Sequence, residues 1–441
     1  VYDDTPYTFT GNSYWPNNEN LTFLGLMSIN RAMELSTNTV SVKVLADVGL
    51  EESYRYATEE LGLTTLVDTM VKGESVYSDI DFAPLALGNL TTGVTVEAMA
   101  QAYGAFANDG VYREARTYTK VTNMEGDVIL DNTQDKNQAL SEKSNWYMTY
   151  MLRNVVTSGT GTYAKLDGID VAGKTGTTSS DKDRWFCGYT PYYTAAVWCG
   201  YDQQEEIILT DSTTNPATYL WKSVMETVHE DLESATFTQP SSVIKVSYCQ
   251  DSGLLATAAC TCDPRGDRTV TGWLYADDVP VASCDVHSFY DICGETGNVA
   301  NQYCYDAEDN TITQIGLLNL GRTFPVANIT VTDQAYAFTD ESSVPSGYYP
   351  AVSGTSYAYN FICTLHEEII EEEEEEEETE EDALLLDLPE DEDEDIVTPD
   401  DQEDTEPEPT PEVDWDEFEN TDDEITVVIN GESIVLTPDL R

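Results

Sequence analysis

The spacing of apolar residues predicts helices through the first part of the chain. Over residues 24–49, apolar positions recur at helical spacing on two segments, and the polar triplet Ser36-Thr37-Asn38 separates them. Gly49 follows the second segment, where glycine commonly ends a helix. Further helices are predicted over residues 51–61, 95–109 and 142–156.

The period of the pattern changes after the last of these helices. Residues 168–177 predict a strand, 178–183 a polar turn, 185–189 a second strand and 194–200 a third. The turn is short, so we expect an antiparallel hairpin. The third strand is apolar on both faces, and this predicts a central position in the sheet. With a closing helix over 214–233, the order of elements predicts an α+β fold in which helices pack on an antiparallel sheet.

Composition divides the rest of the chain. Past residue 235 the sequence changes to short strands, turns and cysteines, and later to a long acidic segment around an eight-glutamate run. We therefore predict five regions: a first domain over 1–233, a Cys-containing extension over 234–305, a Tyr/Ser/Gly-rich region of unknown fold over 306–366, a disordered acidic tail over 367–424, and a short hairpin over 425–441.

Net charge excludes several classes of protein. The 441 residues carry a formal charge of -63, from 83 acidic and 20 basic side chains, and residues 367–441 alone hold 36 acidic residues and one basic one. Such a chain does not neutralise phosphates, so we expect no nucleic-acid partner. A basic patch for anionic membranes is equally unexpected. The sequence shows neither an apolar run of membrane-spanning length nor a signal-peptide pattern, and it begins with Val1, so we expect a fragment of a longer protein.

One strand carries a lysine beside hydroxyl groups. Lys174, Thr175, Gly176, Thr177 and Thr178 follow one another on the strand that leads into the predicted hairpin. A lysine ammonium supplies positive charge for a carboxylate, and the threonine hydroxyls supply hydrogen bonds. The glycine leaves room for a ligand backbone. Lys-Thr-Gly alone is a weak signal, but its place in this strand and hairpin favours a binding role.

The polar triplet between the first two helices gives a second signal. Ser36 and Asn38 have an ordinary interpretation as helix-capping residues. Together with Lys174 further along the chain, they instead match the S-x-N and K-T-G series of penicillin-binding proteins and related β-lactamases.

The sequence resembles the transpeptidase domain of class A (bifunctional) penicillin-binding proteins. The resemblance covers about residues 10–233 and continues more weakly to residue 287. It implies the penicillin-binding or serine-transpeptidase (β-lactamase-like) fold and a D,D-transpeptidase that cross-links peptidoglycan stem peptides through a serine acyl-enzyme. The segments that carry it besides the two motifs are residues 14–18, 32–49, 85–88, 99–110 and 154–161.

The resemblance also implies a role for each motif residue. Ser36 would relay protons near the nucleophile, and Asn38 would hydrogen-bond the amide of the donor peptide. Lys174 would stabilise the substrate carboxylate, and the backbone N–H of Thr177 would form half of an oxyanion hole. The implied substrate-binding residues are Thr175, Gly176, Thr177 and Thr178.

The serine nucleophile of this family is missing from the expected place. Its S-x-x-K motif lies well before S-x-N, whereas only 35 residues precede Ser36 here. Residues 179–182 (SSDK) and 242–245 (SVIK) fit the pattern, but both stand in the wrong order and in the wrong structural setting. We therefore expect no nucleophile in this chain, an upstream glycosyltransferase domain and membrane anchor in the parent protein, and no activity of the fragment alone.

The implied partners are peptidoglycan stem peptides, β-lactams and proteins of the cell-wall division or elongation machinery. The implied location is the outer face of the bacterial cytoplasmic membrane, with no cofactor and no metal. Two alternatives stay open. One is a non-catalytic module that binds stem peptides or the wall, and the other is a relative of D,D-carboxypeptidases or β-lactamases.

Six of the nine cysteines of the chain cluster in the extension. Cys260 and Cys262, with Cys284 and His287, are candidates for zinc ligands, but the spacing departs from the usual zinc pair. Extracytoplasmic disulfides are therefore the favoured prediction, with Cys249, Cys260 and Cys284 as candidates. The six cysteines within 56 residues are Cys249, Cys260, Cys262, Cys284, Cys293 and Cys304.

Overall fold

A computed structural model describes most of the first 318 residues. The described residues are 1–10, 13–19, 21–134, 136–209, 215–318, 331, 362–367, 425–429 and 432–436. They belong to one compact unit, Val1–Glu367 with Ile425–Leu436. Most of the predicted Tyr/Ser/Gly-rich region and all but the first residue of the predicted acidic tail lie outside them.

The predicted helices are confirmed, except that the first begins at Ile29 because residues Gly25–Met27 form a strand paired with Tyr2–Asp4. Thr95 caps the helix Val96–Ala107, because its hydroxyl accepts a hydrogen bond from the Ala98 N–H at 3.1 Å. The helix predicted over 51–61 is a short α-helix that continues as a π-helical turn, Tyr56–Glu60. The described residues contain eight α-helices: α1 (Ile29–Leu35), α2 (Asn38–Val48), α3 (Leu50–Arg55), α4 (Phe82–Leu87), α5 (Val96–Ala107), α6 (Glu142–Ser158), α7 (Pro216–His229) and α8 (Ala258–Thr261).

The strands form small antiparallel sheets. The described residues contain β1 (Tyr2–Asp4), β2 (Thr8–Thr10), β3 (Ser13–Trp15), β4 (Gly25–Met27), β5 (Met70–Lys72), β6 (Ser75–Tyr77), β7 (Val111–Tyr112), β8 (Lys120–Thr122), β9 (Val128–Asp131), β10 (Asn137–Gln138), β11 (Ala172–Thr177), β12 (Asp183–Tyr189), β13 (Thr194–Gly200), β14 (Val243–Cys249), β15 (Thr269–Tyr275), β16 (His287–Cys293), β17 (Ile312–Leu318), β18 (Ile425–Ile429) and β19 (Glu432–Leu436). Strands β18 and β19 pair antiparallel within the region where the sequence predicts a short hairpin.

The three-stranded sheet has the order β11-β12-β13. The predicted antiparallel hairpin is confirmed, with Lys174 opposite Cys187 and Trp185 opposite Trp198. The predicted central position of β13 is wrong, because among the described residues β12 is the strand that has a neighbour on both sides. Strand β13 is apolar because helices α5 and α7 both pack against it.

A buried cluster fixes this sheet to its helices. Phe186 of β12 and Trp221 of α7 are fully buried, and their rings meet edge to face with centroids 5.0 Å apart. The Trp221 indole also donates to the Ala195 carbonyl at 3.0 Å, so its polar atom is satisfied. Burying each such side chain contributes about 1.5–3 kcal/mol, which holds β11 in a defined position.

The extension packs against the first half of α6. The Tyr147 hydroxyl accepts a hydrogen bond from the Tyr275 N–H at 2.9 Å and donates to Asp278 at 2.8 Å. Trp146 meets the Tyr275 ring edge to face, and Lys143 forms an ion pair with Asp278.

No helix in the described part of the chain combines the length and the apolar character that a bilayer span requires.

Candidate active site

The two predicted motifs meet in space. Ser36 ends α1 in a left-handed backbone conformation, with φ 58° and ψ 46°, which turns the chain sharply into α2. Its exposed hydroxyl accepts a hydrogen bond from the Lys174 ammonium at 2.7 Å, across 138 residues of sequence. Lys174 also donates to the Thr175 carbonyl at 3.0 Å. The predicted proton-relay serine and the predicted lysine are therefore direct neighbours.

Desolvation changes the acidity of Lys174. Protein atoms crowd its ammonium group, and this burial lowers the pKa of Lys174 to about 8. Near neutral pH a small but real fraction of the side chain is therefore uncharged, which an ordinary surface lysine would not achieve.

Thr160 is a site residue that the sequence did not predict. Its hydroxyl shares a hydrogen bond of 2.7 Å with the hydroxyl of Thr175. Its backbone N–H donates to the Glu34 carbonyl at 3.1 Å, so the loop after α6 rests on the end of α1. A Cβ on Gly159 would collide with the same carbonyl and come within 2.9 Å of the Val155 Cα, so this approach requires glycine. Thr160 belongs to the segment 154–161, which is one of the segments that carry the resemblance.

Asn38 is the first residue of α2, and a loop holds it in place. Its backbone N–H donates to the Asn18 side-chain oxygen at 3.1 Å, and its side-chain NH₂ donates to the Asn17 carbonyl at 2.9 Å. One N–H of the Asn38 side-chain amide is thus used within the protein. Its amide oxygen is the group that remains for the N–H of a ligand.

A polar cavity of about 890 Å³ collects the predicted residues. Thr175 and Thr177 line it together because alternate residues of a strand share one face. Lys174 and Gly176 belong to the other face of β11, and Lys174 lies near the cavity through its contact with Ser36. The predicted residues that line the cavity are Ser36, Asn38, Thr175, Thr177 and Thr178; further lining residues without a sequence prediction include Thr160, Tyr163, Arg184 and Asn215.

Thr178 has a structural role in the hairpin turn. Its hydroxyl donates to the Asp183 carboxylate at 3.2 Å and accepts from the Asp183 N–H at 2.9 Å. The same carboxylate accepts from the Trp198 indole at 2.9 Å, which ties the turn to β13. Thr178 therefore shapes the cavity rim in addition to its predicted substrate contact.

Neither S-x-x-K sequence of this chain lies at the start of a helix that faces Lys174. Ser179 and Ser180 are exposed in the turn after β11, where a single 3-10 turn spans Ser179–Asp181. Ser242 and Lys245 are exposed at the start of β14 in the extension. Our expectation that neither serves as the nucleophile stays a prediction.

A larger cavity, of about 1640 Å³, lies elsewhere, between α5, β13 and α7. Trp185, Trp198 and Val224 contribute to its walls, and none of Ser36, Asn38 and Lys174 lines it. The smaller cavity is the candidate active site because the titratable and hydroxyl groups converge there.

All nine cysteines are free thiols. The predicted disulfides among Cys249, Cys260 and Cys284 are therefore wrong. These three cysteines instead surround His287. Cys262, which was considered as a zinc partner of Cys260, is exposed and lies outside that group.

Comparisons with known proteins agree with the motifs. Residues 1–210 match the family model of the penicillin-binding protein transpeptidase domain. Residues 239–289, in the extension, match the model of the C-terminal domain of penicillin-binding protein 1A.

Individual relatives give the same result. Penicillin-binding protein 1A of Clostridium perfringens is 36% identical over 295 residues, which cover 65% of this chain and 35% of the relative. The protein of the same name from Clostridium botulinum is 35% identical over 295 residues, covering 67% of this chain and 34% of the relative. The chain thus spans about a third of the length of these relatives.

A solved structure shares the fold. The crystal structure of penicillin-binding protein 1A from Haemophilus influenzae has a TM-score of 0.50 at 16% identity, covering 64% of this chain and 45% of that one. The two family models, the relatives and the meeting of Ser36 with Lys174 lead to one conclusion: this chain belongs to the class A penicillin-binding proteins, as a transpeptidase domain of the α+β penicillin-binding fold followed by the C-terminal domain of that family.

Proposed function

We propose that residues 1–233 form the S-x-N and K-T-G half of a D,D-transpeptidase active site, in a protein that cross-links peptidoglycan stem peptides. The observation that carries this proposal is the 2.7 Å hydrogen bond between Lys174 and Ser36, at the edge of a cavity lined by Asn38, Thr175 and Thr177. If Lys174 had only a structural role, the fold would not require a cavity lined by hydroxyl groups beside it.

The cavity suits the end of a peptide with a terminal carboxylate. The hydroxyls of Thr175 and Thr177 lie on one strand face. We propose that both donate to one substrate carboxylate and that Lys174 supplies positive charge behind them. Asn38 presents its amide oxygen to a substrate N–H. We assign the Thr177 backbone N–H to the developing oxyanion.

Ser36 and Lys174 together suit proton transfer. With a pKa of about 8, Lys174 exchanges protons near neutral pH, and the Ser36 hydroxyl is its direct partner. In the proposed acylation, a serine of an upstream S-x-x-K motif forms a bond to the carbonyl carbon of the penultimate D-alanine. The peptide C–N bond breaks, and the leaving D-alanine amine receives the serine proton through Ser36. An amine of a neighbouring stem peptide then displaces the serine.

The proposed location follows from this substrate. Peptidoglycan cross-linking takes place outside the cytoplasmic membrane, and we propose that the parent protein acts there. We propose that β-lactams acylate the parent serine in place of the donor peptide. Partners in the machinery of cell division or elongation are part of the same proposal.

The experiment uses the full-length parent protein and a fluorescent penicillin. The Lys174→Ala variant should label at least about 100-fold more slowly than the wild type, because electrostatic stabilisation of the reacting groups is lost. Lys182→Ala is the matched control, since Lys182 lies in the turn that follows β11 and should leave labelling unchanged. Unchanged labelling of Lys174→Ala would overturn the site assignment.

The 441-residue chain gives a second readout. It should not form a covalent adduct with penicillin, although saturation-transfer NMR should detect reversible binding of a D-Ala-D-Ala peptide. Covalent labelling that disappears in Ser179→Ala or Ser242→Ala would place the nucleophile inside the chain. Reversible binding by a full-length protein that never acylates would favour the non-catalytic binding module.

A further inference from the structure

Two clusters of cysteine and histidine lie in the extension, away from the active site. The first cysteine module consists of Cys249, Cys260, Cys284 and His287, and the second consists of Cys293, Cys304, Cys363 and His366. In each module, one ligand atom from every residue lies within 4.8 Å of all the others. All six cysteine side chains are buried, as is His287, and His366 is 13% exposed.

The two modules are copies of one sequence pattern. Ten residues separate the first two cysteines in both modules, and two residues separate the last cysteine from the histidine. Residues 249–260 read CQDSGLLATAAC and residues 293–304 read CGETGNVANQYC, with identical Cys, Gly, Ala and Cys at matching places. A chance cluster of thiols would not repeat its spacing in this way.

The backbone repeats together with the sequence. The first cysteine of each module ends a strand, β14 or β16. Each is followed by a glycine with positive φ, +76° at Gly253 and +71° at Gly297. The Cys249 N–H donates to the Leu254 carbonyl at 2.8 Å, and the Cys293 N–H donates to the Asn298 carbonyl at 2.9 Å. The fold therefore places both sets of ligands by the same loop.

The distances within the modules fit a tetrahedral metal ion. His287 Nδ1 lies 3.4 Å from the sulfurs of both Cys249 and Cys284. In the second module, His366 Nδ1 lies 3.5 Å from Cys293 and 3.6 Å from Cys363. Zinc–sulfur bonds of about 2.3 Å and zinc–nitrogen bonds of about 2.0 Å at tetrahedral angles put sulfur and nitrogen about 3.5 Å apart.

Groups around the ligands complete the first module. His287 Nε2 donates to the buried Asp263 carboxylate at 3.1 Å, which leaves Nδ1 as the lone pair for a metal. Arg265 holds Asp263 at 2.7 Å and also contacts the buried Asp251 at 2.8 Å. Carboxylate–histidine pairs of this kind orient metal-bound imidazoles.

Backbone N–H groups face one sulfur in each module. The Thr257 N–H lies 3.3 Å from the Cys260 sulfur, and the Asn301 N–H lies 3.3 Å from the Cys304 sulfur. Such donors stabilise negative charge on a thiolate, the form in which cysteine binds a metal. In the second module, His366 Nε2 lies 3.7 Å from Glu295, a looser and more exposed version of the His287–Asp263 contact.

We propose that each cysteine module binds one zinc ion through three thiolates and one imidazole, so that the extension carries two structural zinc sites. Thiolate and imidazole ligands select zinc among the common divalent metals. Four protein ligands leave no open position, which assigns a structural rather than a catalytic role. Binding releases the thiol protons, and no electron transfer is involved.

The test measures zinc in the purified 441-residue chain by inductively coupled plasma mass spectrometry. Protein produced with zinc and purified without chelator should hold two zinc ions. Cys249→Ser and Cys293→Ser should each lose one of them, so that the intact module is an internal control. Cys262→Ser is the matched cysteine control and should keep both, because Cys262 is exposed and belongs to neither module. A wild-type zinc content well below one ion per chain overturns the proposal.

Two further measurements separate zinc sites from disulfides and from misfolded variants. Denaturation with a chelator and without reductant should expose nine thiols, whereas disulfides in the modules would leave fewer. X-ray absorption of the zinc-loaded wild type should show three sulfur neighbours and one nitrogen, which needs no variant to fold. A shell of oxygen ligands would show that the bound zinc is adventitious and would overturn the assignment.

Discussion

The active-site cavity and the first cysteine module use similar chemistry in opposite ways. The cavity is open, and Ser36, Asn38 and the Thr175 hydroxyl face solvent around a lysine that has one side-chain hydroxyl as its partner. In the module the cysteine ligands, His287 and Asp263 are all buried, and the Asp263 carboxylate holds the His287 ring.

This difference fits the functions that we propose for the two regions. A site that binds and releases a peptide must keep polar groups available for it, and such groups contribute little to folding. A closed ligand set turns binding energy into folding energy. The two regions should therefore respond differently to chelation, and the sheet that carries the cavity should respond to changes in packing and in pH.

Removal of metal should separate the two regions most strongly. With a chelator, amides of β14 to β17 should lose hydrogen-exchange protection equivalent to more than about 5 kcal/mol, because the buried thiols lose the ion that holds them together. Amides of β11 to β13 should keep their protection, since no metal ligand lies in that sheet. Hydrogen exchange followed by mass spectrometry checks this, and equal loss in both regions would refute the separation.

Adding one methyl group to the active-site strand should have the next largest effect. A Cβ on Gly173 would lie 2.7 Å from the Phe186 ring and 2.8 Å from the Cys187 carbonyl. We expect Gly173→Ala to reduce the free energy of unfolding by about 1–3 kcal/mol and to displace Lys174. Urea denaturation measures the change.

Gly104→Ala is the matched control for that variant. Gly104 lies within α5, and nothing surrounds its Cβ position within 4 Å. Alanine there should stabilise the protein by about 0.5–1 kcal/mol, because it favours the helix. A destabilisation of similar size in both variants would mean that the Gly173 effect is not due to packing in the sheet.

The smallest expected effect is a pH-dependent one. Burial lowers the pKa of Lys174 to about 8 from its usual value of 10.5, so between these pH values the unfolded chain binds more protons and stability rises with pH. Lys174→Met removes the desolvated ammonium group, so its free energy of unfolding should exceed that of the wild type at pH 7. This excess should be about 1 kcal/mol larger at pH 7 than at pH 10.5, a small value because part of the charge is solvated. Urea midpoints of the two proteins at both pH values test this; a constant difference would show that the lysine is not desolvated.

Local patterns predicted the elements of the active site, but not everything that builds it. The break at Ser36 and the strand at Lys174 followed from helical and strand periods. Their meeting followed only from the motif order of a known family, since 138 residues separate them. Thr160 escaped prediction because its position depends on the close approach of Gly159 to the end of α1, a contact between distant segments.

Two predictions failed for physical reasons that the structure makes clear. Strand β13 is apolar on both faces because helices α5 and α7 pack against it. An apolar pattern alone does not distinguish a strand covered by helices from a strand that lies between two others. Disulfides were favoured because the single residue between Cys260 and Cys262 departs from the spacing of a usual zinc pair. The informative comparison was between residues 249–260 and 293–304, whose repeated spacing is visible in the sequence.

The two ends of helix α6 contact different regions of the protein. Its last residues lead into Gly159 and Thr160 at the active site, and its first turns carry Trp146 and Tyr147 against Tyr275 of the extension. At 17 residues it spans about 25 Å. Cleavage or truncation of the chain after residue 233 would expose this aromatic surface to solvent. The smallest stable fragment of this protein should therefore keep the C-terminal domain, although the proposed active site lies at the other end of the helix.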